Sequence, residues 1–137
     1  MFGLNTGKCK RTLQRTLSSC FNPLKGELGN VPPTLNNSQY ITGSMLGICE
    51  AYAHNFNITK PQTLALIIDA VFEDVFFSEA TSVLNQVDIW KSNNEEEFII
   101  AYNEAKKRTS QDGKQLNVDW LREYAVKHFE PSRTLML

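Results

Sequence analysis

An all-α fold, a single-domain bundle of about six helices with an irregular N-terminal arm, is predicted by three features of this sequence. Apolar residues recur at three- and four-residue spacing in one stretch after another. No run alternates with period two over a useful length. Residues that start and stop helices punctuate the chain from Ser38 onward. The length agrees, since 137 residues make one domain and bury roughly two-thirds of the unfolded surface. Apolar residues at 42% and charged residues at 21% exclude a disordered tail, a collagen-like fibre and a disulfide scaffold.

Along the chain, Cys9, Leu13, Leu17 and Cys20 fall near helical spacing, which predicts a short basic amphipathic helix over 8–21. Residues 22–37 hold Pro23, Pro32 and Pro33 with Gly26 and Gly29, and read as a long loop or extended arm. The chain thus divides into a basic helix and arm over 1–37 and a helical core over 38–137. Deleting residues 1–21 is expected to leave that core folded. A helix runs from about Ser38 to Phe56, with Ile41, Met45, Ile48 and Tyr52 along one seam and Asn57 as a left-handed stop.

Thr59 and Gln62 have the spacing of a capping box. The helix they start is the most apolar in the chain, from Leu64 to Phe76, and is expected at the centre of the core. Ser78 is placed to cap the next helix, which turns Ala80, Val83, Leu84, Val87 and Trp90 inward. Asn94 and Glu97 form a second capping box, before a helix that ends in the cationic run Lys106, Lys107, Arg108. Asp112-Gly113 marks a turn, and Asp119 starts a last helix closed by Pro131.

The formal net charge of −1 removes bulk attraction to nucleic acid or to an anionic membrane. The charge is unevenly spread. Residues 1–37 carry five bases and one acid, residues 38–105 two bases and ten acids, and residues 106–137 seven bases and four acids. Helix-end complementation and solvated faces account for this pattern. So does a basic arm docked on an acidic middle surface, its own or a neighbour's. No stretch is apolar enough to span a bilayer, and the N-terminus lacks a signal-peptide core, so a cytoplasmic protein is expected. The acid-free composition of residues 1–26 also suits an organellar transit peptide.

Three cysteines with no CxxC pair argue against a disulfide framework and a thiolate zinc site. Cys9, Cys20 and Cys49 fall on or beside apolar stripes, where a thiol is an inert filler rather than a partner for His54 or His128. Glu50 and His54 lie four apart on one helix and Asp69 and Glu73 four apart on the next, so these four could in principle surround a divalent metal. The spacing departs from the Glu-x-x-His of di-iron bundles, and ordinary i, i+4 pairing explains it as well. No metal and no cofactor are expected. His128 is read as a boundary residue of the last helix.

No GxSxG, P-loop, GxGxxG or HExxH pattern is present, so enzyme activity has no positive support. Neither the basic patch of Lys8, Lys10, Arg11 and Arg15 nor that of Lys106, Lys107 and Arg108 is interleaved with aromatics, which makes nucleic acid an unfavoured partner. The feature that stands out is Gly43, Gly47 and Ala51, four apart inside a helix where each glycine costs about 1 kcal/mol against alanine. Such a stripe implies a close backbone, from this chain or a second copy, or a ligand lying against the helix. Tyr40 and Tyr52 flank the same helix and could line a small pocket beside it. Tyr40, Gly43, Gly47, Tyr52 and His54 are therefore the candidate ligand-binding residues.

In size and in its lack of any such motif, the chain resembles the small orphan proteins carried by bacterial mobile gene cassettes of the integron type. That resemblance implies no activity. The expected function is binding or self-association, with a homodimer as the favoured state. The alternative is a small-molecule or enzymatic pocket between the helices at 38–56 and 60–77, using Tyr52, His54, Glu50 and Asp69.

Overall fold

Cys9, Leu13, Leu17 and Cys20 make one side of a helix apolar, and that side needs a partner. In the computed structural model, which describes residues 2–132 with side chains from Asn5 onward, they lie on α1 (Phe2–Cys20). Six helices of ten residues or more and one single-turn helix make up the described fold. After α1 come the single turn α2 (Pro33–Asn36), then α3 (Gln39–Asn55), α4 (Pro61–Phe76), α5 (Ala80–Ser92), α6 (Glu96–Asp112) and α7 (Asp119–His128). Strands are absent among the described residues, and the chain is all-α.

The division at residue 37 is corrected by the packing. Cys9, Leu13 and Leu17 are fully buried and Cys20 nearly so, in the same apolar cluster as α3 and α4. The supposed loop is laid over that cluster as well, through Phe21, Leu24, Val31 and Leu35. Its path is pinned to the far end of the chain. The Ser132 amide donates to the Leu24 carbonyl at 2.8 Å, and Asn30 Nδ2 donates to Ser132 Oγ at 2.7 Å. Residues 133–137, the last of the expected core segment, lie outside the described residues. The basic helix therefore docks in cis, by its apolar stripe. Lys8, Arg11 and Arg15 remain exposed, and no ion pair joins them to the acidic middle among the described residues.

The centre of the core is α3, not α4 as its apolar content suggests. Every residue from Ile41 to Cys49 is buried, and so are Ala51, Tyr52 and Ala53. On α4, by contrast, Ala65, Leu66, Asp69 and Glu73 are exposed. The physical reason is size. Gly43, Ser44, Gly47 and Ala51 let neighbours close on α3 from several sides, whereas the bulk of α4 covers one face.

The helix boundaries follow cap chemistry that differs in part from the expected signals. Ser38 caps α3, its hydroxyl accepting from the Ile41 amide at 3.0 Å. Asn57, at φ 60°, ends α3, and the Ile58 amide reaches back to the Ala53 carbonyl. The Thr59–Gln62 capping box does not form, because the helix starts a residue later, at Pro61, behind Lys60. Proline at the first position needs no acceptor for an amide it lacks. Asn94 likewise does not cap α6. It sits at φ 51° and closes α5 as Asn57 closes α3, with the Glu95 amide donating to the Trp90 carbonyl. Ser78 lies within a 3₁₀ turn (Phe77–Glu79) that leads into α5 and caps nothing. No helix among the described residues is long and apolar enough to cross a membrane.

Candidate functional site

The small-residue stripe is occupied by α6. A Cβ added to Gly43 would stand 2.7 Å from the Phe98 carbonyl oxygen. One added to Gly47 would collide with the Tyr102 carbonyl oxygen, 3.0 Å from Ala105 Cβ and 3.2 Å from the Lys106 amide. The paired positions rise together along both helices, so α3 and α6 run parallel with their backbones nearly touching. This corrects the assignment of Gly43 and Gly47 to ligand binding, since a backbone fills the space a ligand would need.

Two of the predicted aromatic residues are also engaged elsewhere. Tyr40 stacks on Tyr124 of α7 with ring centroids 3.7 Å apart, and Tyr124 in turn meets His128 at 4.2 Å. Tyr52 is buried, and its hydroxyl donates to the Lys114 carbonyl at 3.0 Å. Neither lines a cleft at the α3–α4 junction. The four metal-ligand types Glu50, His54, Asp69 and Glu73 do not converge. Asp69 and Glu73 are exposed on α4, and no group of three or more metal-ligating side chains is found among the described residues.

Glu50 has a different role. Its half-buried carboxylate accepts a hydrogen bond from the Tyr102 hydroxyl, and lies 3.7 Å from Lys91 Nζ and 3.9 Å from Lys106 Nζ. Both ammonium groups also sit over the Tyr102 ring, at 5.1 and 4.9 Å from its centroid. One carboxylate thus ties α3, α5 and α6 together. Burial, then the Glu50 carboxylate, pushes the Tyr102 phenol well above its usual range, so it stays a donor. Tyr102 and Lys106, four apart on α6, were the available signal for this cluster.

One turn beyond, where Ala51 ends the stripe, a cleft of about 430 Å³ opens between the end of α3, the 57–60 turn, the start of α4 and α6. Glu50 and His54 enter from α3, Lys106 and Ser110 from α6, with Ile58 and Leu64 as an apolar wall. Among the described residues the His54 imidazole and the Ser110 hydroxyl have no intramolecular hydrogen bond or ion pair. Carboxylate and ammonium are positioned in advance by Tyr102, while the imidazole and the hydroxyl are exposed to solvent at the cleft. Of the predicted site residues, His54 and Glu50 are brought together here.

The thiols are chemically quiet. Burial pushes Cys9 and Cys20 up to about 12 and Cys49 further still. All three are free and buried. No family model, curated protein or solved structure matches the chain.

Proposed function

We propose that this protein acts by binding, and that the cleft at the end of α3 receives a small molecule with an apolar body and a hydrogen-bonding head. The observation that carries this reading is the pair His54 and Ser110. They come from different helices, line the same cleft and have no hydrogen-bond or ion-pair partner among the described residues. A cleft of about 430 Å³ falls within the range of small-ligand sites. Ile58 and Leu64 would take the apolar body, and Lys106 beside Glu50 offers both charges to a zwitterion such as a free amino acid. Thermal-shift titration with the free amino acids tests it. A rise in melting temperature that His54→Ala and Ser110→Ala both abolish supports the reading. A flat response across the set, or a rise indifferent to both substitutions, contradicts it.

A second reading, self-association as a homodimer, is favoured by Phe77. Its backbone lies at φ 53°, a strained conformation for a bulky residue, and the residue is 46% exposed. The ring tip is 3.6 Å from where a Gly29 side chain would begin, and neighbouring Leu28 is 88% exposed. Adjacent exposed apolar groups suit a contact between copies. Sedimentation equilibrium should then give a dimer that Phe77→Gly and Leu28→Ser convert to monomer, and a monomeric wild type contradicts it. The same proposal places the protein in the bacterial cytoplasm, a reducing compartment that suits three separate buried thiols and a gene-cassette origin.

A further inference from the structure

The C-terminal half of α1 meets the 115–118 loop and the start of α7 around a second cleft, of about 620 Å³. Its lining is rich in donors. Arg15, Thr16 and Ser19 face it from α1, Gln115 and Asn117 from the loop, and Arg122 from α7. Among the described residues, Arg15 makes no hydrogen bond or ion pair, and the Thr16, Ser19 and Gln115 side chains make no hydrogen bond to the protein; Arg15, Ser19 and Gln115 are exposed. Arg122 is held by one carboxylate, with Nη2 3.2 Å from Asp119 Oδ1. A guanidinium carries five N–H groups, so this contact leaves most of them available. Asp119 is the only acid in the lining, which also holds two arginines.

We infer that this cleft is a binding site for a phosphorylated small molecule. Two guanidinium groups, from separate helices, line this one cleft, and a dianion with several oxygens can accept from both where a single carboxylate is filled by one. The hydroxyls of Thr16 and Ser19, three apart on α1, add neutral donors on the same wall. The cleft exceeds what a bare phosphate fills. Leu116 and the buried Val118 border the remainder, leaving room for an organic body. Asp119 orients Arg122, and its single negative charge stands against the two guanidinium charges of the lining. The site is separate from the His54 cleft and does not depend on it.

The test is calorimetric and thermal-shift titration of the full chain with inorganic phosphate, glycerol 3-phosphate, glycerol, succinate and sodium chloride at matched ionic strength. At about ten times its dissociation constant, glycerol 3-phosphate should raise the melting temperature by roughly 4 °C. Glycerol and chloride should not. Arg15→Gln and Arg122→Gln, both exposed positions, should each weaken binding by about tenfold or more with the fold intact by circular dichroism. His54→Ala should leave it unchanged. A rise shared by chloride, or one retained in the Arg15→Gln/Arg122→Gln double variant, would mark a bulk ionic effect and overturn the assignment. Equal binding of succinate would overturn the choice of phosphate. A short DNA duplex bound in preference to glycerol 3-phosphate would overturn the choice of a small molecule.

Discussion

Gly47 faces the carbonyl oxygen of Tyr102 so closely that no side chain fits between α3 and α6. A residue with no side chain thereby decides how the central helix is enclosed. The same approach sets Tyr102 beside Glu50, less than one turn further along α3, and its hydroxyl reaches that carboxylate. Close backbone packing and the charge cluster are two consequences of one helix pair. The cleft with His54 and Ser110 lies at the end of that pair.

The N-terminal helix is expected to be indispensable. Leu13 and Leu17 are fully buried, and truncating either to alanine should cost about 2–5 kcal/mol. Removing residues 1–21 should abolish cooperative unfolding in urea. A sharp transition in that deletion would show that α1 is an accessory.

Glu50 and Tyr102 should be coupled. Tyr102→Phe leaves the carboxylate with the lysines alone, and a hydrogen bond to a charged group contributes about 1.5–3 kcal/mol. Glu50→Gln should lose a similar amount, and the double variant should lose clearly less than the sum. Additive losses in urea denaturation would separate the two residues.

Stability should fall in alkali. The three thiols have ordinary values of 9.0, raised by burial to about 12 at Cys9 and Cys20 and higher at Cys49. Below pH 9 both folded and unfolded chains hold these protons, and the full stabilisation is present. Above pH 9 the unfolded chain releases them first, so stability declines until the folded thiols also ionise. The raised phenols of Tyr40, Tyr52, Tyr102 and Tyr124 act in the same direction at higher pH. Urea midpoints between pH 8 and pH 10.5 should drop, less steeply in Cys20→Ala. A flat profile would contradict thiol burial.

Much of this architecture is legible in the residues. The α-helical class, the seam Ile41, Met45, Ile48 and Tyr52, the stop at Asn57 and the significance of Gly43 and Gly47 all follow from spacing and backbone preference. What is not legible is tertiary. Hydropathy ranks α4 above α3 because glycine and serine count as weakly apolar, although small residues are what allow full enclosure. Proline and glycine between 22 and 37 suggest a detached arm, yet Phe21, Leu24, Val31 and Leu35 anchor it. Asn94 satisfies the pattern of a helix start and serves instead as a helix end, because either role uses the same short amide side chain. Of the cleft, Glu50 and His54 are readable by their shared helix face. Lys106 is readable only as a neighbour of Tyr102 on its own helix, and Ser110 not at all, because nothing local says that α6 runs parallel to α3.

The account turns on α3 being closed by α6 of the same chain, and Gly47→Ala tests that most directly. Overpacking costs roughly 1–3 kcal/mol, against which alanine returns about 1 kcal/mol of helix propensity. The measurement is melting temperature together with sedimentation equilibrium. The predicted result is a lower melting temperature at unchanged mass. A variant that melts like wild type, or one that loses mass while keeping its melting temperature, would contradict it.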